Sequence, residues 1–142
     1  MKIVVFGATG NIGTRIVAES LSRGHTVTGV VRDPSSVESP DSRVTLVKGD
    51  ATDAASVAQV VNGADAVVSA ISPRPNARGL AAPSLTDAVR GLIAGLSAAG
   101  VRRLFVVGGA GSLQIPTGEQ LVDLPSFPDE YKPEALAQRD AL

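Results

Sequence analysis

The sequence predicts a doubly wound α/β domain, in which a parallel sheet carries helices on both faces. Three observations support that reading. Short, near-continuous apolar runs alternate with stretches of helical periodicity along the 142 residues, as strands buried on both faces do. Glycine recurs at every third position in Gly7-Ala8-Thr9-Gly10-Asn11-Ile12-Gly13, where the first apolar run meets the first helical stretch. The composition, 44% hydrophobic and 19% charged, is that of a globular chain long enough to bury a real core. Right-handed crossovers then give the strand order 3-2-1-4-5. A ligand crevice is expected at the carboxyl ends of strands one and four, where that order reverses. No linker and no internal repeat beyond the alternation interrupts residues 1–142, which read as one domain.

Each element has a local reason. Residues 3–6 (Ile-Val-Val-Phe) form the first strand. A helix over 12–23 follows, with Ile12, Ile16, Val17 and Leu21 on one face, and stops at Gly24. Strand two covers 26–31 and strand three 44–47. Between them, Pro34 and Pro40 leave no room for a long helix. Asp53 is a good N-cap for a helix to about Val61, closed by Asn62-Gly63. Strand four is the apolar run 66–71, followed by a loop over 73–83. The next helix starts at Ser84 or Thr86 and runs to Ala99, with Leu85, Val89, Leu92, Ile93 and Leu96 as its stripe. Strand five covers 104–107, and a last helix spans 133–142, with Leu136 and Leu142 among its apolar residues.

Composition also excludes several roles. Aromatic residues are only 3%, which argues against stacking platforms for single-stranded nucleic acid. A net charge of −1 leaves no basic footprint for DNA or RNA. No apolar run approaches the ~18 residues of a membrane span, and the N-terminal run is too short for a signal-peptide core. Zero cysteines exclude disulfides, cysteine-ligated zinc and thiol catalysis, and no metal site is expected. A cytoplasmic protein is the default expectation. His25, in a turn before strand two, has no evident catalytic partner.

The motifs that carry chemistry all fall at strand ends. Gly7 permits a tight turn, Gly10 lets backbone approach phosphate, and Gly13 lets the helix pack close to the strand. A pyrophosphate there would face the helix's unpaired N–H groups and positive end. The spacing is G-x-x-G-x-x-G rather than G-x-G-x-x-G, so a plain glycine-rich turn is the competing reading. Strand two ends in Val31-Arg32-Asp33. An arginine there suits a ribose 2′-phosphate, while Asp33 before Pro34 reads as turn chemistry, so NADP(H) is the expected cofactor. A solvated surface arginine is the alternative for Arg32. Asp50 could accept from an adenine amino group or simply form a turn. Arg74, in the loop after strand four, could touch phosphate or an anionic substrate, or be solvated.

Together, residues 7–13, Val31-Arg32-Asp33, Gly49-Asp50-Ala51-Thr52-Asp53, Asp65-Ala66-Val67-Val68 and Val107-Gly108-Gly109-Ala110-Gly111-Ser112-Leu113 carry a family resemblance. The chain resembles the atypical short-chain dehydrogenase/reductases, specifically NAD(P)H-binding proteins related to biliverdin/flavin reductase and NmrA-like regulators. The resemblance implies that Asp50 and Ala51 hold adenine, Ala70 and Ile71 line the ribose, Arg32 grips the 2′-phosphate, and Ser112 stands beside the nicotinamide.

Two departures shape the functional expectation. The larger superfamily carries a catalytic Tyr-x-x-x-Lys, in which the lysine lowers the tyrosine pKa. Here the single tyrosine, Tyr131, has Ala135 four residues on, and the adjacent Lys132 points elsewhere on a helix. Substrates that accept hydride without a strong protein acid, such as flavins or quinones, are therefore favoured. The second departure is the ending, since relatives continue into a sixth strand and a substrate-binding region. An NADPH-dependent reductase acting on a small redox acceptor is the leading expectation. The alternatives are a non-catalytic NADP(H)-sensing module that works through a protein partner, and a nucleotide-binding scaffold without redox role. A homo-oligomer, formed through the stripe on the 84–99 helix, is also open.

Overall fold

The computed structural model describes residues 1–73 and 84–141. Five strands, β1 (Lys2–Phe6), β2 (Thr26–Val31), β3 (Thr45–Lys48), β4 (Ala66–Ser69) and β5 (Leu104–Val106), form one parallel sheet in the order β3-β2-β1-β4-β5. The expected order is thus found. The helices are α1 (Asn11–Ser22), α2 (Ala54–Val61), α3 (Leu85–Ala98) and α4 (Lys132–Asp140).

Alternation along β1 divides the core in two. Val5 packs with Ala8, Val17, Leu21, Val27 and Val44 on the α1 side of the sheet. Val4 and Phe6 point the other way, into a cluster with Val30, Val57, Val61, Val67, Leu92 and Leu96 beneath α2 and α3. Period-two geometry in a central strand feeds both layers at once. Leu92 is fully buried, a burial that contributes about 1.5–3 kcal/mol.

Local capping follows the sequence closely. Asp53 accepts from the Ala55 N–H at 2.9 Å and starts α2. Ser84 accepts from the Asp87 N–H at 3.3 Å and starts α3. Between β2 and β3 the chain manages only a 3-10 turn over Pro34–Ser36, as its prolines require.

Several expectations need correction. Ile12 is 51% exposed, so the buried face of α1 is Gly13, Val17, Ser20 and Leu21. Ile12 sits in the first turn of the helix, continuous with the exposed residues Thr9, Gly10 and Asn11. On α3, Ile93 is 58% exposed and Val89 only half-buried. The buried face is instead Leu85, Ala88, Gly91, Leu92, Gly95 and Leu96. Here α3 lies close against α2 and the loop before it: a Cβ on Gly91 would fall 2.2 Å from the Ala51 carbonyl oxygen, and one on Gly95 would fall 2.5 Å from Val57 Cβ and 2.7 Å from the Ala54 carbonyl oxygen. The fourth strand ends at Ser69, so Ala70 and Ile71 lie just beyond it. The expected loop over 73–83 lies almost wholly outside the described residues, as does Leu142. Residues 113–131 form an excursion held by the Gln114–Gln120 bridge and a 3-10 turn over Leu121–Asp123, with Val122 fully buried.

Candidate functional site

The carboxyl ends of β1 and β4 meet at Gly7. With φ at 78°, it adopts a conformation that a side chain disfavours. A Cβ there would also lie 2.7 Å from the Ala70 carbonyl oxygen and 3.2 Å from the Ile71 nitrogen. Gly7 therefore lets the first loop turn directly against the backbone that leaves β4. This contact brings Ala70 and Ile71 to the glycine loop. Gly13 closes the other side, since its Cβ would fall 1.9 Å from the Gly7 carbonyl oxygen.

Between these anchors, Ala8 and Gly13 are buried while Thr9, Gly10, Asn11 and Ile12 are exposed. Gly10 is the N-cap of α1 and supplies no side-chain cap, and no acidic residue occupies the first turn. The N–H groups and positive end of the helix are thus open to an anion. Among the described residues, a Cβ on Gly10 would touch only the Gly7 oxygen, at 3.3 Å, so none of them crowds a phosphate outside the loop. This donor set fits a dinucleotide pyrophosphate.

The second group lies at the ends of β2 and β3. Val31 pairs with Lys48, and the Gly49 N–H donates to the Val31 carbonyl at 3.0 Å, which sets Arg32 beside Asp50. Asp33 is committed elsewhere: its Oδ1 accepts from the Ser35 N–H at 3.1 Å and the Ser35 hydroxyl at 2.7 Å. These bonds, led by the Ser35 hydroxyl, hold the Asp33 carboxyl below its usual range. Asp50 makes a similar turn, accepting from the Thr52 N–H at 2.9 Å and the Thr52 hydroxyl at 2.7 Å. Its carboxyl is likewise lowered, first by the Thr52 N–H, then by the Thr52 hydroxyl, with Arg32 contributing by charge. Asp50 remains exposed, whereas the Ala51 side chain is buried in the core.

Ser112 follows β5 in a 3-10 turn over Ala110–Ser112, half-buried, and its hydroxyl donates to the Gly109 carbonyl at 3.2 Å. Tyr131 is half-exposed at the start of α4, and the residue one turn on, Ala135, is buried against Gly111. The position that holds the lysine of a Tyr-x-x-x-Lys pattern is thus taken by a buried alanine. His25 occupies the turn between α1 and β2, at the opposite end of the sheet, its N–H bonded to the Ser20 carbonyl. Arg74 lies outside the described residues.

One residue near the loop escaped the sequence reading. Arg15 donates to the Asn11 carbonyl at 2.8 Å and to Asn11 Oδ1, fixing that side chain over the first turn of α1. Its four-residue spacing from Asn11 was the available signal. A separate groove of about 550 Å³ between α3 and the start of β5, lined by Ile93, Leu96, Val101 and Leu104 among others, opens at the amino end of that strand and takes no part in this site.

A glycine loop of this shape, set at the point where a parallel sheet reverses its order, defines a dinucleotide-binding α/β protein. The chain belongs to the NAD(P)H-binding family, which it matches over residues 7–141. It is 39% identical to YwnB of Bacillus subtilis over 144 residues, covering 100% of this chain and 64% of that protein. A Burkholderia pseudomallei structure, of a protein described as a candidate exported protein, superposes with TM-score 0.83 at 44% identity, covering 99% of this chain and 64% of the other. A Streptococcus pneumoniae structure, described as a candidate NADH-flavin reductase, gives TM-score 0.79 at 35% identity, covering 99% and 63%. This chain thus spans about 64% of the length of YwnB and of the Burkholderia protein. Its cofactor class is a nicotinamide dinucleotide, as the family defines. No helix among the described residues is long and apolar enough to cross a membrane.

Proposed function

We propose that this protein is an NADPH-dependent reductase that passes hydride to a small redox acceptor such as a flavin or quinone. The observation that carries the cofactor choice is the division of labour at the end of β2. Asp33, the carboxylate that could accept from a ribose 2′-hydroxyl, is folded into its own turn with Ser35. Arg32 stands beside Asp50, at the end of β2, where a guanidinium could fork onto a 2′-phosphate. Residues 9–13 would hold the pyrophosphate, Asp50 and Ala51 the adenine, Ala70 and Ile71 the ribose, and Arg74 a phosphate or anionic acceptor.

The bound dinucleotide supplies hydride; the chain supplies position and electrostatics. With its proton directed at the Gly109 carbonyl, Ser112 presents lone pairs and can accept from the nicotinamide amide or orient the acceptor. A serine used this way is not an acid, and Tyr131 lacks the lysine of a Tyr-x-x-x-Lys pattern. Both facts favour acceptors that need no strong protein acid. The pneumococcal neighbour, described as a candidate flavin reductase, supports the same class of acceptor.

The missing acid also favours a second reading, a module that senses NADP(H) without turning over. One experiment separates the two. NADPH and NADH are titrated against the full-length protein, and steady NADPH oxidation is then followed with a panel of flavins and quinones. Tighter NADPH binding with turnover of at least one acceptor is expected. Equal affinities would remove the Arg32 argument, and binding without turnover would leave the sensing module.

A further inference from the structure

We propose that Gln138 is a positioning residue for Ser112, acting through the Gly109 backbone. The inference rests on the reductase reading of Ser112 and adds to it a residue on the last helix. The run Gly108-Gly109-Ala110-Gly111-Ser112 carries glycine where a close approach is needed, and at 109 and 111 that approach is made by α4. A Cβ on Gly109 would fall 1.8 Å from Gln138 Oε1 and 3.0 Å from Gln138 Cδ, while one on Gly111 would fall 2.8 Å from Ala135 Cβ. Residues 135 and 138 are three apart and share a helix face.

The consequence runs through one peptide. The Gln138 carboxamide lies where a side chain on residue 109 would begin, so it backs the segment whose carbonyl accepts the Ser112 hydroxyl proton at 3.2 Å. Held there, that carbonyl keeps the proton turned inward and the Ser112 lone pairs turned out. Ala135 is the buried residue of α4, and Arg139 ties the helix to the Asp123 turn at 3.2 Å, so α4 keeps two other anchors when Gln138 is replaced.

The test uses the full-length protein with Gln138→Ala, Gln138→Met, Gly109→Ala, Ser112→Ala and the Gln138→Ala/Ser112→Ala double variant. Gln138→Ala should lower kcat by roughly two- to tenfold, the scale of one neutral hydrogen bond, and leave NADPH affinity unchanged. Gly109→Ala, whose new methyl pushes the carboxamide aside, should do the same. Gln138→Met, which keeps the covering chain, should retain activity. In the Ser112→Ala background, Gln138→Ala should add nothing, because the path has already been cut. Additive losses in the double variant, or unaltered kcat in both Gln138→Ala and Gly109→Ala, would overturn the proposal. A second measurement needs no turnover: Gln138→Ala should shift the amide resonances of residues 109–112 and speed their hydrogen exchange, and unmoved resonances would also overturn it. If no acceptor is reduced at all, the reductase reading fails, while the resonances still decide the contact.

Discussion

Gly10, the N-cap of α1, and Gly13, in its first turn, stand three residues apart, yet they should fail in opposite ways. Alanine is favoured over glycine inside a helix by about 1 kcal/mol, so helix propensity alone makes Gly13→Ala stabilising. The structure reverses that sign. The new Cβ would lie 1.9 Å from the Gly7 carbonyl oxygen, 2.8 Å from its carbon and 3.0 Å from Ala8 Cα. All three are backbone atoms of the loop that joins β1 to α1, so no side chain can rotate away. Reaching an acceptable contact requires α1 to move out by more than an ångström, loosening Val17 and Leu21 from their cluster. Overpacking of this kind costs about 1–3 kcal/mol, and more when the obstacle is rigid. Net of the propensity gain, we expect Gly13→Ala to lose about 1–2 kcal/mol in denaturant unfolding, which for a chain of this length lowers Tm by about 3–7 °C. Gly10 has φ at −80° and a single Cβ contact at 3.3 Å. Gly10→Val should therefore unfold close to the unmodified protein while losing binding of both NADPH and NADH. A Gly13→Ala protein as stable as its parent would refute the packing argument. A Gly10→Val protein that binds NADPH normally would show that the loop is only a turn.

Three further outcomes follow from the same geometry. Arg32→Ala should erase most of the preference for NADPH over NADH, by about 1.5–3 kcal/mol for a charge-assisted contact, read from paired fluorescence titrations; an unaltered ratio would exclude Arg32 from the 2′-phosphate. Tyr131→Phe should keep most of the reductase activity, whereas Ser112→Ala should lose roughly two- to tenfold; a thousandfold loss in Tyr131→Phe would restore the phenol as an acid. Asp33, Asp41 and Asp50 are all held below the usual carboxylate range, by bonds from Ser35, Arg43 and Thr52 respectively, Asp41 to about 2. Because their folded-state pKa values are depressed, the stability they contribute is present above about pH 4 and is lost as the pH falls through the folded values toward 2. Unfolding of Asp50→Asn against the parent should show a gap at neutral pH that narrows through this acid range, and a pH-independent gap would contradict the assignment.

The order of the strands was legible because it follows from apolar runs and glycine stops, which are local signals. Asp53 and Asp33 were read correctly as turn and cap residues for the same reason: each bonds a backbone N–H two residues on. On α3 the burial of Leu85, Leu92 and Leu96 was legible, but the greater exposure of Val89 and Ile93 was not, because a periodicity argument counts large apolar side chains. Gly91 and Gly95 are buried precisely where a side chain would not fit, so the stripe tilts away from Ile93 toward residues that pattern reading treats as breaks. The region 113–131 has neither period, and its order comes from Val122 and the Gln114–Gln120 bridge. The Gln138 contact joins residues far apart in sequence through a glycine, and no local rule points to it.

The strand order β3-β2-β1-β4-β5 also has a consequence for how the crevice comes into being during synthesis. The first three strands pair among themselves, using only the first 48 residues and α1. The opposite wall of the crevice, at Ala70 and Ile71, directly follows β4, which pairs with β1. A nascent chain that has assembled its first half therefore owns the glycine loop and Arg32 without the surface they face. Parallel pairing between distant segments is slow compared with local assembly, so the dinucleotide becomes a reporter of the late step. Chains halted after residue 63 on the ribosome should show no dinucleotide protection against proteolysis, and chains with β4 and α3 emerged should gain it.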